Sequence, residues 1–280
     1  MKFINKTTTE FGTEVIKYDV GNCVPKDNVV ELISSIASVC YASEPKNKNK
    51  LYDMLMKENS GALPSSAFSF QPVLLTPMEM NILMGSICNT VRVEAYPAGN
   101  TCPKLMQYGY FDNVVGMWVC NFRSLVYDYR AGLIDEATYE GIINRPVNMP
   151  IFIYKVNGMS MYTFGQHVRH SQKLQVISRR YVKDSKVPFT FTNHPSIQKD
   201  SRLIHMYEFI TDTAREMYKE AINDFKVKPE IARGLIPQCA NTSFWFGWNT
   251  PVDESNYIDM RTKKSAQDEI RAFADVLKEL

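Results

Sequence analysis

The sequence predicts one globular domain that mixes helices with strands, and three observations predict it. At 280 residues, 45% of them apolar and 12% aromatic, the chain can bury a sizeable core, while 22% charged residues is ordinary for a water-facing surface. Apolar residues recur at helical spacing near both ends of the chain. The run PIFIYKVNG (150–158) instead combines β-formers with an Asn-Gly turn signal, which predicts a strand that ends at a turn. A single domain over 1–280, or one carrying a large insertion, is the expectation.

Taken in order, DNVVELISSIASVCYA (27–42) sets Val30, Ile33, Ala37 and Cys40 on one helical face, after Asp27 or Asn28 as N-cap. KNKNK (46–50) reads as a solvated loop, and LYDMLMKEN (51–59) as a short helix stopped by Ser60-Gly61. GMWVCNFRSLVYDYRAGLIDEATYEGII (116–143) looks helical, and YPAGNTCPKLMQYGYFDN (96–113) looks like a long loop. In HMYEFITDTAREMYKEAIND (205–224), Met206, Phe209, Ile210, Met217, Ala221 and Ile222 predict a helix with that face packed on a core. KSAQDEIRAFADVLKEL (264–280) places Ser265 and Asp268 at capping-box spacing and Ala266, Ile270, Phe273 and Leu277 on one side. No repeat or low-complexity tract interrupts this pattern.

A formal net charge of +2 gives no whole-protein attraction to nucleic acid or membrane, so any preference for anions must be local. The most apolar stretch, LLTPMEMNILMGSIC (74–88), is broken by Pro77 and Glu79 and falls short of the roughly 20 residues a membrane span needs. Six cysteines without a CxxC pair, and no leader at the start, predict a soluble protein of a reduced, cytoplasmic compartment.

Local charge is concentrated in QHVRHSQKLQVISRRYV (166–182), which holds four cationic side chains, two histidines and no acid. Arginine suits phosphate because its planar fork bonds two oxygens at once, and Arg169, Arg179 and Arg180 bring such forks together. Taken alone, the cluster reads first as a solvated basic face. A polynucleotide strip is a further reading, with Phe164, Tyr181 and Phe189 as stacking residues and a steep salt dependence. His167 and His170 have HxxH spacing but no third ligand to complete a metal set. Ser178 lacks an identifiable base, so it reads as a hydrogen-bond donor rather than a nucleophile.

The cluster changes meaning beside EIARGLIPQCANTSFWFGWN (230–249) and NYIDMRTKKSAQDEIRAFA (256–274). With Gln166-x-x-Arg169-His170 and Ser178-Arg179-Arg180-Tyr181 upstream, these resemble the signature of flavin-dependent thymidylate synthases in order and spacing. ASVCY and LYDMLMKENSGALP match the family's first helices and the approach to its flavin loop. The resemblance covers roughly 27–68, 150–186 and 201–280, and leaves about 69–149 as an insertion, largely helical by its pattern.

That resemblance implies an α+β fold with a mainly antiparallel central sheet flanked by helices, assembled as a homotetramer whose active sites draw on several subunits. It implies bound FAD, reduced by NADPH, and transfer of a methylene from methylenetetrahydrofolate to C5 of dUMP, ending as the methyl of dTMP. Carried over by position, Arg180 and Arg233 bind the nucleotide phosphate, with Ser178 and the backbone at Arg179 completing the cradle. Gln166 and Arg261 face the pyrimidine, where Arg261 stabilises charge that develops on the ring. Arg169, His170 and Asn256 contact FAD, and Ser171 and Cys40 stand on the cofactor side at positions where the family has arginine and, often, serine.

Departures from the family pattern fall within the site. Only six residues separate Ser171 from Ser178, so the motif is one residue short, and a register reading Val168-Arg169-His170 restores the length but reorders the contacts. Val176 replaces an acid, and LPSSA (63–67) replaces Thr-Pro-x-Glu-His. These changes on a kept scaffold admit a variant one-carbon transfer, such as hydroxymethylation of dUMP or dCMP or methylation of another pyrimidine nucleotide. A non-catalytic relative that binds nucleotide or nucleic acid is the remaining alternative.

Overall fold

In chain order the computed structural model has strands β1 (Lys2–Thr8) and β2 (Glu14–Asp19) and helices α1 (Lys26–Ser38) and α2 (Lys48–Lys57). Next come β3 (Pro72–Leu75), α3 (Pro77–Asn89), β4 (Tyr110–Asp112), β5 (Met117–Asn121), α4 (Phe122–Arg130) and α5 (Glu136–Ile143). The remainder is β6 (Phe152–Ser160), α6 (Met161–His167), β7 (Gln172–Val176), α7 (Ser201–Asn223), α8 (Pro229–Ala232), β8 (Asn241–Trp248), α9 (Pro251–Arg261) and α10 (Asp268–Glu279). The structure describes residues 1–21, 26–57, 66–89, 105, 108–170, 172–178, 182 and 185–280.

Five strands form the central sheet in the order β1-β2-β6-β8-β7, every pair antiparallel, so the fold is α+β as the sequence implies. Side chains alternate across it. Ile153 and Trp245 point into a core shared with Leu32, Ile33 and Ile36 of α1. Tyr154, Val156, Phe244 and Phe246 point the other way, onto Tyr257 of α9 and Ile270, Phe273 and Leu277 of α10. Both faces of β6 and β8 are therefore buried, which is why PIFIYKVNG and SFWFGW are nearly continuous apolar runs. Burying a side chain such as Phe273 contributes ~1.5–3 kcal/mol.

Residues 69–149 do not stand apart from this core. Phe70, Val73, Leu75, Leu105, Phe122 and Leu125 pack in the same cluster as α1 and the sheet. The segment carries its own sheet, ordered β3-β5-β4, so it is only partly helical. Met117–Asn121, expected as helix, is strand because Val119 and Cys120 pair in register with Leu74 and Val73. Of the expected loop 96–113, Tyr110–Asp112 is strand, while 96–104, 106 and 107 lie outside the described residues. Arg145 ties the segment down with two 2.7 Å bonds to Glu79 and a third to the Leu74 carbonyl.

Several local expectations change for identifiable reasons. The Asn157-Gly158 pair is not a turn: β6 runs through it with a register shift between Asn157 and Met159, and Gly158 takes φ +84°. Tertiary pairing with β2 and β8 on both sides outweighs the local turn preference here. Helix α1 begins at Lys26, so Asp27 and Asn28 lie inside it, and α2 begins at Lys48, within the expected loop. Helix α10 starts at Asp268, not Ser265, because Arg271 clasps the preceding turn through the carbonyls of Lys264 and Ala266 and the Asp268 carboxylate.

On α7 four of the six residues of the expected core face are turned outward, while Ala221 and Ile222 pack inward as expected. Met206, Phe209, Ile210 and Met217 are 60%, 72%, 54% and 49% exposed, while Thr211, Ala214 and Tyr218 face the protein. Tyr218 anchors the inner side, where α7 packs against Phe189, Ala232 and Ala240, and periodicity does not tell one side from the other. Cys40, Cys120 and Cys239 carry free thiols, and no described helix is long and apolar enough to cross a membrane.

Gly158 gives a direct test of the bulge. A Cβ there would meet the Gly12 carbonyl at 3.3 Å on top of the left-handed backbone. Gly158→Ala is expected to lose ~1–2 kcal/mol in urea unfolding, and an unchanged midpoint would contradict the assignment.

Candidate functional site

The site is organised by a contact between α6 and the turn before α10. Ser160 caps α6, its hydroxyl accepting the Thr163 N–H at 3.3 Å. Into this capped end projects Glu269, 1% exposed, whose carboxylate accepts the Ser160 N–H at 3.0 Å and the hydroxyls of Ser160 and Thr163 at 2.6 and 2.7 Å. Three donors on a buried carboxylate offset its desolvation, and its negative charge suits a helix N-terminus.

One turn further, Gln166 donates its amide to Gln267 Oε1 at 2.6 Å, and its backbone carbonyl accepts Arg261 Nη2 at 3.1 Å. Arg261 Nε donates to His170 Nε2 at 3.0 Å. Since arginine only donates, His170 is neutral with its proton on Nδ1, leaving that N–H as a donor. Burial, then the adjacent Arg261 charge, lowers the His170 pKa below the ordinary 6.5. Segments more than ninety residues apart are thereby joined, and Gln166, His170 and Arg261 form one cluster.

Two cavities are lined by expected site residues. The first, about 440 Å³, is lined by Arg169, His170 and Asn256, with Lys263 adding a cation and Asp253 and Asp259 on its wall. Asp253 is engaged in the capping box of α9 with Thr250. The second, about 490 Å³, is lined by Ser178 and Arg233 together with Phe164, Val176, Phe189 and Asn241. Arg233 spends Nε on the Glu230 carbonyl at 3.2 Å, and its terminal amines make no bond with any described residue.

Among the expected site residues, the structure thus brings Arg169, His170 and Asn256 to one cavity and Ser178 and Arg233 to another, and bonds Arg261 to both Gln166 and His170. Cys40 does not join the first group. Its thiol donates to the Val176 carbonyl at 3.3 Å and accepts the Gln175 amide, and its own carbonyl accepts the Ser178 N–H at 3.2 Å, so it buttresses the serine. Burial pushes that thiol's pKa up despite the Gln175 bond. Ser171, Arg179 and Arg180 lie outside the described residues.

His167 is packed into the aromatic core. Its Nδ1 lies 3.1 Å from the Tyr257 hydroxyl amid Phe244, Phe246, Trp248 and Phe273, and burial pushes its pKa down to about 3. No group of three or more metal-ligating side chains occurs among the described residues. Sequence reasoning missed Gln267, Glu269 and Lys263 as site residues. The signal for Glu269 was present: an acid beside Ile270 and four residues before Phe273, on the apolar side of α10.

Comparison with known proteins matches residues 118–280 to the family described as thymidylate synthase complementing protein. This chain belongs to that family. It is also 35% identical over 165 residues to the flavin-dependent thymidylate synthase of Aquifex aeolicus (strain VF5), a match covering 53% of this chain and 49% of that protein. The chain therefore spans about half the length of that relative.

Removing Arg261 tests the cluster. In Arg261→Ala the pKa of His170 should rise toward 6.5, read by NMR of the imidazole. In the intact protein the unfolded chain binds more protons than the folded one as pH falls below the unfolded value, so stability falls there, and the variant should lose less. An unchanged His170 titration would contradict the bond.

Proposed function

We propose that this protein catalyses FAD-dependent C5 methylation of dUMP to dTMP, with methylenetetrahydrofolate as one-carbon donor and NADPH as reductant. The observation that carries this reading is that two cavities gather the expected site residues, the first of them reached by the Gln166–Arg261–His170 cluster through His170. Each gathers residues of one motif group: Arg169, His170 and Asn256 in the first, Ser178 and Arg233 in the second.

The first cavity fits a flavin dinucleotide by donor chemistry. Arg169 and Lys263 offer cations, Asn256 an amide, and His170 a neutral N–H, the set a pyrophosphate accepts. When bound there, FAD supplies the redox chemistry that links NADPH to the one-carbon transfer. Arg233 and Ser178 bind the nucleotide phosphate, the guanidinium by a two-pronged ionic contact and the hydroxyl as a single donor. Arg261 holds a fixed positive charge toward the pyrimidine and stabilises negative charge as C5 becomes nucleophilic. Gln166, gripped from both sides, orients the base. No enzyme thiol need attack the ring, in keeping with Cys40, whose burial disfavours the thiolate.

Assembly as a homotetramer is part of the same reading. The outward apolar stripe of α7, Met206, Phe209, Ile210 and Met217, supports it as a surface that a second copy would cover. A specific observation also favours a second reading. Val176, apolar where the resemblance leads one to expect an acid, lines the cavity beside Ser178, as a change of base or of one-carbon product would require. Hydroxymethylation of dUMP or dCMP, or methylation of another pyrimidine nucleotide, is that alternative.

Purified protein should show a flavin absorption spectrum and form dTMP from dUMP, methylenetetrahydrofolate and NADPH. Absence of both would reject the leading reading, and the product mass from labelled dUMP or dCMP separates methyl from hydroxymethyl. Arg261→Ala should abolish turnover with the assembly intact. Arg233→Ala should raise the KM for nucleotide on the order of tenfold to a hundredfold, the loss of one charge-assisted contact.

A further inference from the structure

A third cavity lies where the inserted sheet meets the central one, away from the residues assigned above. About 120 Å³ in volume, it is closed by Tyr110 and Cys120 of the inserted sheet, Ile151 and Phe152 at the start of β6, Lys173 on β7 and Trp248 at the end of β8. Lys173 is only 9% exposed, and its ammonium makes no hydrogen bond or ion pair with any described residue. Across the ladder it faces Gly247, a position without a side chain to answer it. Trp248 also borders the cavity, but its indole ring turns to the other face of the sheet, against Phe246 and Tyr257.

Neighbouring groups do not neutralise the lysine. Burial holds the Cys120 thiol up at about 12, so it is uncharged, and burial likewise raises Tyr110. Tyr108 also lines the wall. Glu254 of α9 also lines the cavity, but its charge acts on Lys17 and not on Lys173, and it accepts the Tyr154 hydroxyl at 3.2 Å; Asp128, beyond Cys120, accepts the Leu105 N–H at 2.8 Å. An ammonium with three donors and no acceptor carries a desolvation penalty, which an anion in the cavity would relieve.

We propose that this cavity is a binding site for a small monocarboxylate, held by the Lys173 ammonium. Size and charge select that class. The space is somewhat below the ~150 Å³ that holds a benzene-sized guest, and a single lysine balances one negative charge rather than the two of a phosphate monoester. Val119, Ile151 and Phe152 supply apolar wall for a short alkyl tail. Burial lowers the Lys173 pKa from 10.5 to about 8, so the amine is charged at neutral pH and a bound carboxylate would raise that value.

The test uses the full chain, without added flavin or nucleotide, so that it is independent of the catalytic reading. Thermal unfolding is followed with sodium formate, acetate, propionate or butyrate against sodium chloride at matched ionic strength. A saturable rise in Tm is expected with at least one carboxylate and not with chloride, weakening as pH rises through about 8, and absent in Lys173→Met. NMR of 13C-lysine-labelled wild-type protein gives a second readout that does not depend on the variant folding. The Lys173 Cε titration should move up by about one unit with the effective carboxylate, equivalent to about tenfold preference for the charged amine. Equal Tm shifts with chloride, a shift that persists in Lys173→Met, or a Lys173 titration unmoved by every carboxylate would overturn the proposal.

Discussion

The buried carboxylate of Glu269 is the contact on which the site depends. It lies on the apolar side of α10, beside Ile270 and four residues before Phe273, so packing alone would reject it. What retains it is the capped end of α6, which offers the Ser160 N–H and two hydroxyls. Leaving such a group without its donors costs ~1–3 kcal/mol or more, so α6 and α10 are fixed relative to each other by chemistry as well as by the aromatic core between them. From this anchor Gln267 reaches Gln166, and Arg261, on the preceding helix, reaches His170.

The consequence is an arginine whose position is set before any ligand arrives. Arg261 is held by the Gln166 carbonyl and by His170, which must stay neutral to accept its N–H. A charge fixed in this way needs little reorganisation when negative charge develops nearby, which is the physical basis of electrostatic catalysis. The same bond holds His170, which lines the cavity shared with Arg169 and Asn256, so the groups assigned to flavin and to base share one support.

Much of this was legible in the sequence. Helices with a regular apolar repeat, such as α1 and α10, form near where the pattern puts them, and the residues picked out by the motifs converge from segments far apart in the chain. What was not legible followed from non-local pairing. Asn157-Gly158 has the local chemistry of a turn but is flanked by two strands, and Met117–Asn121 has helical periodicity but pairs with β3. The stripe on α7 identified a helix without saying whether the stripe faces the same chain. Cys40 fell in the right region, yet its partners are the Val176 carbonyl and Gln175, which only the packing of the turn after α1 against β7 reveals.

The most direct test of this account is amide hydrogen exchange in Glu269→Ala. If Glu269 supports the site through α6, protection should fall across Met161–His167 and in the Gln166–His170 segment as well as in α10. Loss of protection confined to α10, with α6 exchanging as in the intact protein, would contradict it.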